Sequence, residues 1–133
     1  MTIMKEVLEY LKKCKTYFLA TVEDDQPRVR PFGVAEEFEG KIYIQTGKVK
    51  QVSKQIQVNP RIEICACDGP TWLRIEAEVV EDDRREVKAY VLDKNPGLKS
   101  MYDPDDSNTQ VIYLINATAT FYSFTSSPRV VNF

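Results

Sequence analysis

The residues best suited to chemistry lie in two short runs. The first is Arg28-Val29-Arg30-Pro31-Phe32-Gly33. Alternate side chains of an extended segment share a face, so Arg28 and Arg30 point the same way. Two guanidiniums side by side repel unless an anion lies between them, and their forked donors match phosphate. A solvated strand with ordinary surface arginines is the competing reading of this run alone. The second run is Thr46-Gly47-Lys48-Val49-Lys50-Gln51, where a strand gives way to a helix. A helix start presents unpaired N–H groups and a partial positive charge. Gly47 permits close backbone approach. Lys48 and Lys50 place cations where helix electrostatics disfavour them, a local conflict that points to a nearby anion. If the Arg28 strand lies beside the strand ending at Thr46, then Arg28, Arg30, Lys48 and Lys50 converge on one phosphate.

Other candidates carry less. Trp72 opens a strand, where a lone tryptophan reads first as core. Cys65 and Cys67 share a strand face and read as small buried hydrophobes. The run 81–86 (EDDRRE) reads as a helix start with solvated charges. Asp103, Asp105 and Asp106 belong to a mobile acidic loop before they suggest a cation site.

The elements that must position these residues follow from periodicity. Met4, Val7, Leu8 and Leu11 make one helical stripe behind Thr2 as N-cap, ending near Cys14. Residues 16–22 (TYFLATV) read as a strand, 23–27 as a polar turn, and 28–38 as a second strand interrupted by Pro31 and Gly33. Glu39-Gly40 leads to a third strand over 41–46, completing an antiparallel meander. Val49, Val52 and Ile56 return to helical spacing until Asn59-Pro60 stops it. Strands over 61–67 and 71–80 flank Asp68-Gly69-Pro70. A helix over 82–92 ends at Asn95-Pro96-Gly97, and two further strands cover 110–115 and 117–124. Seven short, mostly sequential strands with three helices predict a mainly β fold, an antiparallel barrel with peripheral helices.

Composition bounds the rest. The 133 residues make a single domain, 1–133, and 43% hydrophobic with 29% charged residues suits a packed globule. A net charge of −2 gives no global field for nucleic acid or an anionic membrane, so neither is an expected partner. The sequence has no histidine, which excludes imidazole ligands and Ser-His-Asp or Cys-His catalysis. Three cysteines without a CxxC argue against a disulfide framework and for a reducing, cytoplasmic setting. Lys5, Glu6 and Glu9 argue against a signal peptide.

The run FLATVEDDQPRVRPFGV, with KIYIQTGKVKQV, NPRIEICAC and WLRIEAEVV, resembles the FMN-binding split-barrel family. Its best-known members are the pyridoxamine 5′-phosphate oxidases, and the wording is nearest the small 5-nitroimidazole-reductase (Nim)-like subgroup. The likeness covers roughly residues 5–124. It implies a six- or seven-stranded split barrel, homodimeric, with FMN at the subunit interface. By this likeness Arg28, Val29, Arg30, Pro31 and Phe32 match the strand along the flavin. Gln45 and Thr46 match the pair ending the next strand. Lys48, Lys50 and Gln51 fall on the phosphate-binding turn, and Trp72 falls where a side chain often lies against the flavin. Gly33 replaces a lysine usual in the oxidases, Val49 replaces a serine of the turn, and the tail keeps only Arg129 as a cation. These departures argue against pyridoxamine phosphate oxidation itself. The expected function is electron transfer through flavin from a small-molecule donor to a small planar acceptor. The alternatives are a flavin-binding or sensing dimer without turnover, and a structural dimer with an empty site.

Overall fold

A computed structural model describes residues 2–133. Helix α1 (Ile3–Cys14) starts at Thr2, whose side chain accepts the Lys5 N–H at 3.1 Å. It buries Val7, Leu8 and Leu11, the stripe the spacing predicts. Its exit is a γ-turn: Lys15 has φ 68° and ψ −59°, and the Thr16 N–H donates to Cys14 O at 2.8 Å.

Strands β1 (Tyr17–Glu23) and β2 (Gln26–Phe32) form a hairpin. Strands β3 (Glu36–Phe38) and β4 (Lys41–Gly47) form another. Helix α2 (Gln51–Val58) leads to β5 (Arg61–Asp68) and β6 (Thr71–Asp82). Helix α3 (Arg85–Lys94) runs into a 3-10 turn, Pro96–Ser100, before β7 (Thr109–Ser123) and β8 (Arg129–Asn132). All pairings are antiparallel, in the order β2-β1-β5-β6-β7-β4-β3, with β8 also on β7.

The element list differs from the sequence reading at several places. β6 runs on to Asp82, so the helix expected over 82–92 begins at Arg85, and a 3-10 turn over Pro96–Ser100 follows it. Cys65 and Cys67, read as buried, are half-buried and exposed on the outer face of β5. The segment 28–38 is two strands, because Gly33–Ala35 leave the sheet after Phe32. The segments 110–115 and 117–124 are one strand: Asn116, at φ 51°, takes up a register shift opposite Glu76–Glu78 and the ladder resumes. The tail adds β8, so there are eight strands where six or seven were expected.

The expected meander is absent. β2 pairs only with β1, while β4 pairs with β3 and β7. The Arg28 strand therefore does not lie beside the strand ending at Thr46.

Strict period-two burial on β5 and β6 gives the sheet a dry inner face. Leu19, Ile44, Ile64, Leu73, Ile75 and Ile112 pack there, joined by Val7 and Leu11 from α1 and by Val52 and Ile56 from α2. A second cluster of Tyr43, Val87, Val91 and Val111 seats α3 on the other face of β4 and β7. Strand β4 is thus covered on both sides, which fixes the turn that follows it.

Candidate functional site

A cavity of about 640 Å³ lies between non-adjacent strands. Arg30–Val34 form one wall, and Gln45, Thr46, Lys50 and Val52 a second. Lys94–Leu98 with Met101 and Tyr102 close the third. The volume falls within the range of small-molecule pockets, about 300–1,000 Å³. β2 ends the strand path, so its outer backbone edge has no partner strand, and its last three residues line this space.

Of the residues singled out in the sequence, Arg30, Pro31, Phe32, Gln45, Thr46 and Lys50 meet here. Arg28, Val29, Lys48, Gln51 and Trp72 do not. The Arg28 guanidinium donates to Glu23 Oε1 at 2.9 Å through Nη2 and 3.2 Å through Nε. Lys48 Nζ pairs with Asp83 at 3.2 Å and Glu81 at 3.6 Å. Val29 points to solvent and Gln51 is an exposed first residue of α2. Trp72 stacks on Tyr122, with centroids 5.1 Å apart and planes 7° apart, beside Phe124. Within the chain the expected convergence of four cations is therefore reduced to Arg30 and Lys50. Arg28 has its anion within the chain, Glu23, whereas Arg30 has none among the described residues.

Arg30 is held tightly. Its Nη1 donates to Leu19 O at 3.2 Å and Thr21 Oγ1 at 2.7 Å, and its Nη2 donates to Gln55 Oε1 at 2.6 Å. Burial, and then the neighbouring charge of Arg28, pull its pKa down. Lys50 is exposed on the cavity rim, and none of the ion pairs among the described residues involves it. It is the N-cap of α2, a position where it supplies no side-chain cap, and the first turn of that helix has no acidic residue. The start of α2 therefore keeps its positive character towards the cavity.

The turn before α2 is ordered by the acidic loop. Lys48 N–H donates to Asn108 O at 2.7 Å, and Val49 N–H donates to Asn108 Oδ1 at 3.0 Å. Asp106 folds that loop by accepting the N–H groups of Asp103, Asn108 and Thr109. Burial raises the Asp106 pKa, but these donors outweigh it and hold the carboxyl down at about 2. The segment predicted to be a mobile loop is a hydrogen-bonded brace for the 47–49 turn. A Cβ on Gly47 would stand 3.0 Å from Asn108 Nδ2, so a side chain there would push on the Asn108 amide that bonds Val49.

Sequence reading missed the third wall. Asn95-Pro96-Gly97 reads as a helix stop, yet Asn95 anchors the wall. Its Nδ2 donates to Val91 O at 2.9 Å and to Glu36 Oε2 at 3.0 Å, and Lys12 pairs with the same buried carboxylate at 2.6 Å. Gln55 was also passed over. Its signal was a glutamine on the apolar stripe of Val52 and Ile56.

An antiparallel sheet folded over a core, with its end strands β2 and β3 left unpaired to each other, fits the architecture of a split-barrel protein. The family model described as pyridoxamine 5′-phosphate oxidase matches residues 3–123. The chain belongs to this pyridoxamine 5′-phosphate oxidase-like split-barrel family, near its Nim-like members. It is similar to the crystal structure of a NimC/NimA family protein from Clostridium acetobutylicum. That likeness has 44% identity over 98% of this chain and 92% of the other, with a TM-score of 0.94. The general stress protein 26 from Bacillus anthracis shares the fold at 18% identity and TM-score 0.77, covering 99% of this chain and 100% of that one. A heme binding protein from Mycobacterium smegmatis shares it at 12% identity and TM-score 0.69, covering 92% of this chain and 57% of that one. No curated protein sequence matches the chain.

Proposed function

We infer that this protein is an FMN-binding homodimer that transfers electrons between a reduced small-molecule donor and a small planar acceptor, in the manner of a nitroreductase. The observation that carries this is the cavity itself: its lining combines three cationic side chains that no ion pair among the described residues neutralises, Arg30, Lys50 and Lys94, with the apolar Phe32, Val34, Pro96, Leu98 and Met101. That donor set fits a phosphate monoester joined to a flat aromatic body. Bound there, FMN would supply the redox chemistry.

The chain's part is binding and orientation. Arg30 and Lys50 would hold the phosphate. The unpaired edge of β2 offers backbone groups to the rim of a planar ring. Lys50, Lys94 and Tyr102 bring two ammonium groups and a phenol to the lining as proton donors. Gly33 contributes no side chain to this wall. The tail's cation Arg129 pairs with Glu6 and lies over the Phe121 ring, away from the cavity. Both points argue against a second phosphate site of the kind pyridoxamine phosphate oxidation needs. Absence of histidine in the sequence argues against an imidazole-ligated haem.

The homodimer reading rests on the outer face of the sheet. Phe18, Val29 and Val130 are 48%, 69% and 58% exposed, on the face that also carries Pro31, Trp72 and Tyr122. Several exposed apolar side chains gathered on one sheet face fit an interaction site. It runs along the strand that lines the cavity, so a second copy seated there would border the ligand.

The test is the identity of the chromophore. Mass spectrometry of ligand released from purified protein should find FMN, and NADH or NADPH alone should bleach the absorption band. FMN without bleaching by any donor would reduce the function to flavin binding. Protein that neither carries nor takes up FMN would overturn the reading.

A further inference from the structure

We propose that Gln55, together with Thr21, is a positioning device that clamps Arg30 by the end of its guanidinium and leaves the side edge for the phosphate. This rests on the flavin reading above and adds to it how the anion is recognised.

A guanidinium has five N–H donors: two on each Nη and one on Nε. Both Nη1 donors are used, by Leu19 O and Thr21 Oγ1. One Nη2 donor goes to Gln55 Oε1. Thr21 Oγ1 itself donates to Gln55 Oε1 at 2.5 Å, so the two acceptors sit together across the Nη1–Nη2 end of the fork. Among the described residues, the second Nη2 hydrogen and the Nε hydrogen have no acceptor. Those two point along one edge of the plane, with the spacing that takes two oxygens of a phosphate side by side.

The clamp is itself fixed. Thr21 is 2% exposed and Gln55 6%, so neither can exchange its bond for water at low cost. Gln55 Nε2 donates to Glu23 Oε2 at 3.4 Å, and Arg28 holds the other oxygen of that carboxylate. Arg28, and then Gln55, hold the Glu23 pKa down, so this carboxylate stays an acceptor at neutral pH. The bond to Glu23 orients the amide with its oxygen towards Arg30. A flipped amide would place NH2 against a guanidinium. The chain Arg28–Glu23–Gln55–Arg30 thus lets Arg28 serve the cavity without entering it.

The experiment compares FMN with riboflavin, which lacks the phosphate. Affinities are measured by fluorescence titration on wild type, Gln55→Leu and Thr21→Val, with circular dichroism confirming the fold. Charge-assisted bonds set the scale: loss of orientation at Arg30 should weaken FMN by about tenfold or more. Riboflavin should change little. Gln55→Asn, with an amide too short to reach, should behave like Gln55→Leu. An equal loss for both ligands, or no loss for FMN, would overturn the clamp. Wild-type protein that binds neither ligand would instead overturn the flavin reading beneath it. Should Gln55→Leu fail to fold, Thr21→Val alone decides, since it keeps the shape and removes only the hydroxyl.

Discussion

Arginine and lysine residues of one sequence cluster part company in three dimensions according to which carboxylates lie in reach. Lys48 and Lys50 are two residues apart, yet Lys48 is neutralised by Asp83 and Glu81 while Lys50 faces the cavity. Lys50→Ala should therefore weaken FMN by about tenfold, whereas Lys48→Ala should leave its affinity within about threefold, both read by titration. Arg30→Lys should lose about as much as Arg30→Ala, because an ammonium has only three donors: bonded to Leu19, Thr21 and Gln55 it keeps none for the phosphate, and it has no side-by-side fork. Equal effects at positions 48 and 50 would contradict the assignment. The sequence showed the cationic runs, since residue type and local charge conflict are local properties. It could not show that Glu23 and Asp83 claim half of them, because those contacts depend on the tertiary path.

At the scale of elements, the loop 103–109 is coupled to the turn that presents Lys50. Asp106 has its folded pKa at about 2, below the ordinary value near 3.9. A depressed carboxyl contributes stability that is present above its unfolded pKa and lost as pH falls through the folded one. Thermal stability should accordingly drop between about pH 4 and pH 2, and Asp106→Asn should flatten that part of the profile. Asp106→Ala should cost about 1–2 kcal/mol at neutral pH, since three backbone N–H groups lose their acceptor. An unchanged melting temperature would contradict the brace. Periodicity made α1, β5 and β6 legible, because a single buried face leaves its period in the sequence. It misled at Asn116, where a bulge within one strand resembles a gap between two. It also missed β8, whose four residues carry too little pattern, and the packing of loop 103–109.

For the whole molecule, the decisive difference is connectivity. Sequential strands suggested a meander, but the chain crosses from β2 to β3 over Gly33–Ala35 and places the two hairpins at opposite ends of the strand path. The cavity exists because of that crossing: β2 and β4 face each other without pairing. Pairing between distant strands is a property of the folded sheet, and at the level of sequence the family resemblance carried only the split barrel, not which strands pair. The exposed apolar face makes a prediction of its own. Phe18→Arg should convert a dimer to a folded monomer in sedimentation analysis, through a desolvated charge at the centre of the patch. A monomeric wild type would remove the interface. The central claim is that Arg30 and Lys50 hold the phosphate of a flavin in this cavity. It is tested most directly by titrating FMN into wild type and into the Arg30→Ala, Lys50→Ala double variant, with circular dichroism on both. Saturable FMN binding by wild type, lost in a variant that keeps its fold, is the predicted result. Undiminished affinity in the folded variant would contradict it.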